Sequence, residues 1–398
     1  MGEVMRILYY DWDEFNGEDC RDAMRRLGHE VDRFKSDANK YDVTDDLVQR
    51  LKAAIKNADE KGKPYELVFS FDYFPNVATI CADNNMHYVS WVFDCPHYTT
   101  DSPSVRNKTN RVYLFDRMLC ENMKAKGIST VEHMPLAVNE TRLSELCEKL
   151  DTETDGMIIY EHDVSFLGNL YDNEYNFYDQ ISYIPADLKN YIDVVMDAQE
   201  RIFGVDLFTD PKAFNGKHIA GLRKCVHFES SGKYDIDYDK VILDILRKKV
   251  TVNERRHILE QMGRYFNTVL YTAGDINPIE GVANLGYADY FTKMPRVFRR
   301  SKINLNITLR SILSGVPLRV MDILASGGFV ITNYQKEIAE YFEDGADLAI
   351  AHTPEEMIAK TAYYLEHEEE RKEIALNGQK KVFQKFAYTK LLPKVLTL

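Results

Sequence analysis

The sequence predicts an α/β protein of two doubly wound halves, each with a parallel sheet, and a helical stretch inserted in the second half. Three observations lead there. Short apolar runs alternate with amphipathic segments of helical period in both halves of the chain. A polar, acidic stretch, Asp151–Gly156, separates the two series. A length of 398 residues allows two or three domains at about 150 residues each.

The first series reads strand Met5–Tyr10, helix Glu18–Leu27 stopped by Gly28, and strand Glu30–Phe34. Helix Asp45–Ala58, strand Leu67–Phe71, helix Pro75–Asn84 and strand His87–Phe93 follow. Strand Arg111–Phe115, helix Arg117–Lys126 and strand Thr130–His133 complete it. Strands spaced by helices imply right-handed βαβ units. After the break come strand Val164–Leu167 and a charged, mostly helical stretch over about 175–264, with a turn-like patch at Ser230–Asp239. Alternation resumes with strands Val269–Thr272 and Lys302–Thr308, helix Pro317–Ala325, and strands Phe329–Asn333 and Leu348–Ala351. Two Glu/Lys-rich helices from Pro354 and Glu368 close the chain. The expected domains are 1–150, 151–380, and a terminal helix over 381–398. Doubly wound sheets bind ligands at the carboxyl ends of their strands, so the ligand is expected in a cleft between the halves.

Composition narrows the partners. The 50 basic and 63 acidic side chains leave a formal charge of −13, the wrong sign for a general nucleic-acid or anionic-membrane binder. No apolar run reaches the length of a membrane span and the N-terminus lacks a leader pattern, so a cytoplasmic protein is expected. Six scattered cysteines without CxxC pairs read as reduced thiols. No Walker, G-x-S-x-G or G-x-G-x-x-G pattern occurs, which counts against an NTPase, a hydrolase or a dinucleotide oxidoreductase.

The stretch from Arg299 to Asn333 carries the most chemistry. In Lys302–Thr308, Asn304 and Asn306 alternate with apolar residues, so one face of the strand turns polar; an edge strand or a satisfied structural amide explains this equally well. Ser314 suits an N-cap, Gly315 a close backbone approach, and Pro317 the first helical position. The helix terminus then offers free N–H groups and about half a positive charge, a seat for a diphosphate. Arg310 is placed to contact a phosphate, and Asp322 to accept ribose hydroxyls, with solvated helix surface as its plain alternative.

These residues also carry a resemblance. SKINLNIT, GVPLRVMDILASGGFVITNYQ and EHEEERKEIALNGQKKVF resemble the C-terminal half of the bacterial CgeB-like (spore-maturation) glycosyltransferases, relatives of the large retaining group 1 enzymes. WVFDCPHY and RVYLFDRMLCENMKAKGISTVEHMPLAVN resemble the N-terminal half that accompanies it. The resemblance implies two Rossmann-like domains facing across a cleft, the glycosyltransferase B fold. It implies a nucleotide-sugar donor, with a UDP-sugar favoured, and a sugar, protein or glycan acceptor. It also implies transfer without a metal or other cofactor. Asp322 takes the place of the ribose-binding carboxylate; Gly315 and Val316 match the backbone near the diphosphate; Gly168 and Asn169 match the loop after the first donor-domain strand. Asn306, Arg310, Ser314 and Arg319 complete the donor set. The wider group has a second acid eight positions before the ribose-binding one, and this chain has Ser314 there. In such enzymes the terminal helix crosses back to the N-terminal domain.

On the acceptor side, Asp11, Asp94 and His97 sit at the expected carboxyl ends of strands and are candidate bases, with capping, turn or hydrogen-bonding roles as alternatives. Asp11-Trp12-Asp13 matches a D-x-D metal signature too short to carry a metal, and Asp235, Asp237 and Asp239 mimic a calcium loop without its glycine and final glutamate. A glycosyltransferase is the first expectation. A catalytically weak nucleotide- or glycan-binding scaffold is the second, and a sugar-nucleotide epimerase the third. The sequence sets no oligomeric state.

Overall fold

In the computed structural model, residues 4–36, 44–57, 62–153, 156, 158–173, 176–227, 236–274 and 276–397 are described. They form two compact units, one holding Met1–Arg142 and Gln384–Leu398, the other Leu143–Glu229 and Asp237–Phe383.

The first unit is built on strands β1 (Arg6–Asp11), β2 (Glu30–Lys35), β3 (Leu67–Phe71), β4 (His87–Val92), β5 (Asn110–Leu114) and β6 (Val131–His133). They pair in parallel in the order β2-β1-β3-β4-β5-β6. β1 and β3 are buried along their whole length, which is why they read as unbroken apolar runs. The order changes direction between β1 and β3, so the crevice for a ligand opens beyond Asp11 and Phe71. The chain end docks on this unit: Val138 pairs with Ala387, and Tyr388 packs edge-on against Trp91.

The second unit carries β7 (His162–Leu167), β8 (Thr268–Tyr271), β9 (Val282–Asn284), β10 (Ser301–Asn306), β11 (Val330–Asn333) and β12 (Ala349–Ala351). Their parallel order is β12-β11-β10-β7-β8-β9. Counted within the unit this is 3-2-1-4-5-6 read from the other edge, the doubly wound dinucleotide-fold order, with its switch point between β7 and β10. The predicted helical insertion contains helices Ala186–Glu200, Gly216–Arg223 and Tyr238–Tyr265, which enclose a core of their own around Ile192, Phe208, Phe214, Leu222 and Leu246.

Four local expectations are corrected. The stretch read as a linker begins inside helix Glu140–Thr152, and its Thr154 and Asp155 lie outside the described residues. β9 was not foreseen, because three half-exposed residues carry no periodicity. Most of the turn-like patch at Ser230–Asp239 lies outside the described residues, while Asp237 caps helix Tyr238–Tyr265 by accepting from the Lys240 amide at 3.2 Å. The chain ends on a separate helix, Tyr388–Val395, after Glu368–Lys385.

Candidate donor and acceptor sites

In the second unit the switch point is lined by the segment after β7, the segment after β10, and two helices. Gly168 follows β7, and Asn169 closes a short turn by accepting from the Tyr171 amide at 2.7 Å. The turn puts Tyr171 at φ 59°, a left-handed conformation that costs a bulky residue about 1–3 kcal/mol. Helix Tyr238–Tyr265 supplies Arg255, buried at 8% exposure, whose Nε and Nη2 donate to the Ile307 carbonyl at 3.0 and 2.6 Å. Its Nη1 donates to the Asn169 carbonyl. One guanidinium therefore ties the segment after β7 to the segment after β10.

No ion pair to Arg255 is present among the described residues, and Tyr171 lies 5.3 Å from its guanidinium carbon. Lys248, two turns earlier on the same helix, places its ammonium 5.2 Å from the centre of the Tyr171 ring. Burial pulls both cations below their usual values. Arg319, on helix Leu318–Ala325, adds a third cation, a guanidinium whose charge acts on Arg255. It sits 3.5 Å from the Asp322 carboxylate, against Met294 and over the Phe298 ring. Burial lowers Arg319 as well, against the opposing pull of Asp322. Three cations thus gather around the Tyr171 turn, with Asp322 paired to Arg319, an arrangement that favours a multiply charged anion. Asp322 itself is 4% exposed.

The remaining donor-set residues fall differently. Helix Leu318–Ala325 starts after Pro317, so Ser314 is not its N-cap. Ser314 instead donates from Oγ to Glu337 Oε1 at 2.8 Å, and the Glu337 amide donates back to the Ser314 carbonyl at 3.0 Å. Gly315 and Val316 are buried beside it. Arg310 is corrected from a phosphate ligand to a structural cation. It pairs with buried Glu254 at 2.9 and 3.0 Å and donates to the carbonyls of Ile202 and Gln199, leaving no free edge for a ligand. Burial still raises Glu254, in spite of Arg310. Asn306 is a satisfied amide, donating to Thr308 and Thr332 hydroxyls at 3.0 and 2.9 Å. Asn304 likewise bonds Phe298, Phe329 and Ser165.

In the first unit, Asp11 is a structural carboxylate rather than a base. Burial would raise it, but Arg33 and Arg21, the latter at 2.6 Å, hold it below the usual carboxylate range. Asp94 and His97 come together with a residue the sequence reading missed, Asp72, and ligand atoms of all three lie within 4.8 Å of one another. Asp72 directly follows β3, is 1% exposed and sits at φ 54°. Its Oδ1 accepts from the amides of Phe93 and Asp94 at 3.0 and 3.2 Å. Burial raises both carboxyls; the charge of Asp72 further opposes ionisation of Asp94, whereas hydrogen bonds from Asp94 favour the ionised form of Asp72. His97 Nε2 accepts from the Tyr73 amide at 3.0 Å. Two acids and an imidazole in this arrangement can exchange a proton or hold a divalent cation. Beside them Trp12 stacks on Phe93 at 6.0 Å, and half-exposed Phe15 meets Phe93 edge-on at 5.4 Å. Such an aromatic floor suits the apolar face of a sugar ring.

Residues 251–397 match the family model described as Glycosyl transferase-like. This part of the chain is thus similar to glycosyltransferases. Over the whole length the chain is similar to Anabaena HepE in complex with UDP-glucose, at 11% identity, covering 98% of each chain with a TM-score of 0.54. It is similar to sucrose-phosphate synthase from Thermosynechococcus elongatus at 9% identity, covering 98% of this chain and 97% of that one, TM-score 0.52. A glycosyltransferase from Rickettsia africae matches at 10% identity over 99% and 97%, TM-score 0.51. No curated protein matches. The fold is the glycosyltransferase B fold. Among the described residues no helix is long and apolar enough to cross a membrane.

Proposed function

We propose that the chain moves a sugar from a UDP-sugar to an acceptor hydroxyl, without a metal ion and with retention at the anomeric carbon, as a cytoplasmic member of the CgeB-like branch. The observation that carries the reading is the convergence of Lys248, Arg255 and Arg319 on the Tyr171 turn at the switch point of the second sheet. Departure of UDP breaks the bond from the anomeric carbon to the β-phosphate oxygen and leaves the electron pair on that oxygen. Preorganised cations in a partly desolvated crevice stabilise that charge as a metal ion otherwise would. The complexes of HepE with UDP-glucose and with UDP and glucose support uridine as the base.

Within this reading Asp322 accepts the ribose hydroxyls, and Gly168 and Asn169 keep the backbone close to the phosphates. Glu337 brings a carboxylate to Ser314, where the wider group carries its second acid. The first unit binds the acceptor on Trp12, Phe15 and Phe93. Retention in one step requires the acceptor oxygen to bond to the anomeric carbon on the face that UDP leaves, and Asp94, raised towards neutrality, takes the hydroxyl proton. The test is UDP release from UDP-sugars by the full chain, with and without EDTA. Release that survives EDTA and disappears in Lys248→Ala is expected. Loss of activity in EDTA with recovery on adding a divalent cation would overturn metal independence and point to a cation at Asp72, Asp94 and His97. Absence of release from every UDP-sugar would favour a nucleotide-binding scaffold.

A further inference from the structure

At the opposite end of β10 from Ile307, a strand's length or roughly 20 Å away, the second unit holds another polar cavity. Its volume is about 90 Å³, several times the roughly 10–15 Å³ that one water needs. Arg299, Ser301, Lys302, Arg371, Lys372 and Gln379 contribute to its wall, and among the described residues no acidic one does.

Three of the four cations have carboxylate partners: Arg299 with Asp151 at 2.6 Å, Lys302 with Asp163 at 2.7 Å, and Lys372 with Glu368 at 2.7 Å. Arg371 has none among the described residues, although it is 1% exposed. Its Nη1 donates to the Tyr364 carbonyl at 2.5 Å, while Nε and Nη2 are buried without a hydrogen-bond partner. The Tyr160 ring, 5.2 Å from the guanidinium carbon, engages the face of the group and leaves these edge donors unsatisfied. Glu368, one turn earlier, feels the charge of Arg371 but spends its carboxylate on Lys372. A buried guanidinium with two idle donors on one edge is costly unless an anion completes it.

We propose that this cavity is an anion site for the phosphoryl group of a small metabolite. In this structure that edge of Arg371 is closed to a water-sized group, so a small shift of the side chain into the cavity lets Nε and Nη2 take two phosphate oxygens side by side. Lys302 and Lys372 line the same cavity and can share their ammonium donors between the anion and their carboxylate partners. The site is separate from the donor seat, since it shares no residue with it and lies at the other end of the same strand.

Thermal unfolding of the full chain in inorganic phosphate, against chloride at equal ionic strength, tests this. Phosphate is expected to raise Tm progressively in the parent chain and in Lys248→Ala. Arg371→Met, which keeps the stem but removes the donors, is expected to lose the shift. Leu376→Glu, at the exposed lip of the cavity, supplies an internal carboxylate. It is expected to raise Tm without phosphate and to abolish the response. No shift in the parent chain, or an equal shift in Arg371→Met, would overturn the site. If Arg371→Met does not fold, an undiminished shift in Leu376→Glu would do so. Loss of the shift in Lys248→Ala would assign the phosphate to the donor seat instead, and an equal shift in acetate would overturn the phosphoryl specificity.

Discussion

Glu337 and Ser314 hold each other at both ends, side chain to side chain at 2.8 Å and amide to carbonyl at 3.0 Å. The position that lacks an acid in the sequence is thereby given one in space, from 23 residues further along. If that carboxylate serves the transferred sugar, Glu337→Gln keeps the bond to Ser314 and loses only the charge. A charged hydrogen bond contributes about 1.5–3 kcal/mol, so turnover of the donor is expected to fall by roughly 10–100-fold. UDP affinity and Tm are expected to stay near parent values. Steady-state kinetics beside a UDP titration separates the two, and unchanged turnover would remove Glu337 from the chemistry.

Asp322 is assigned to the ribose. Asp322→Ala is expected to weaken UDP binding by roughly 10–100-fold, the cost of losing charged hydrogen bonds. The parent chain is expected to discriminate against 2′-deoxy-UDP, and the variant to bind UDP and 2′-deoxy-UDP alike. Equal discrimination in both chains would place the ribose elsewhere.

Arg310 and Lys248 should separate stability from binding. Removing Arg310 strands Glu254, 1% exposed at its side chain, so Arg310→Ala is expected to lose about 3–5 kcal/mol of stability. Its effect on UDP affinity, measured where the variant is folded, should be small. Lys248 makes no ion pair or hydrogen bond among the described residues, so Lys248→Ala is expected to keep Tm while binding UDP more weakly, with a shallower salt dependence. The reverse pattern in denaturation and titration would restore Arg310 as the phosphate ligand.

The Asp72–Asp94 pair sets a pH dependence. Both carboxyls are raised from 3.8 to about 7, by burial first. Between those values the folded chain binds more protons than the unfolded one. The pair's contribution is therefore fully present below the unfolded value and is lost as pH rises through about 7. Tm is expected to fall from pH 5 to pH 8, and Asp72→Asn to flatten that slope. An unchanged slope in the variant would show that other groups set it.

The contrast between Arg255 and Arg310 explains what the sequence could convey. Both strand series apart from β9 were legible, because buried parallel strands leave unbroken apolar runs such as Leu67–Phe71. Asp322 stood out as one carboxylate in an apolar helix. Arg310 also stood out, next to the expected helix start, yet its partner Glu254 lies 56 residues away and nothing local announces the pair. Lys248 and Arg255 share one face of helix Tyr238–Tyr265, and their spacing of two turns was readable. It was masked by neighbouring charges, Lys249, Arg256 and Glu254 among them. Asp72 was invisible for another reason. It looks like an ordinary turn residue after a strand, and only the fold brings Asp94 and His97 beside it.

Calorimetric titration of the full chain with UDP, UMP and uridine tests the donor seat most directly. Three cations at the Tyr171 turn require affinity to rise with phosphate charge, so UDP is expected to bind tightest and uridine weakest, with Lys248→Ala narrowing the gap. Equal affinity for all three, or no heat with UDP at all, would contradict the assignment of this crevice to a nucleoside diphosphate.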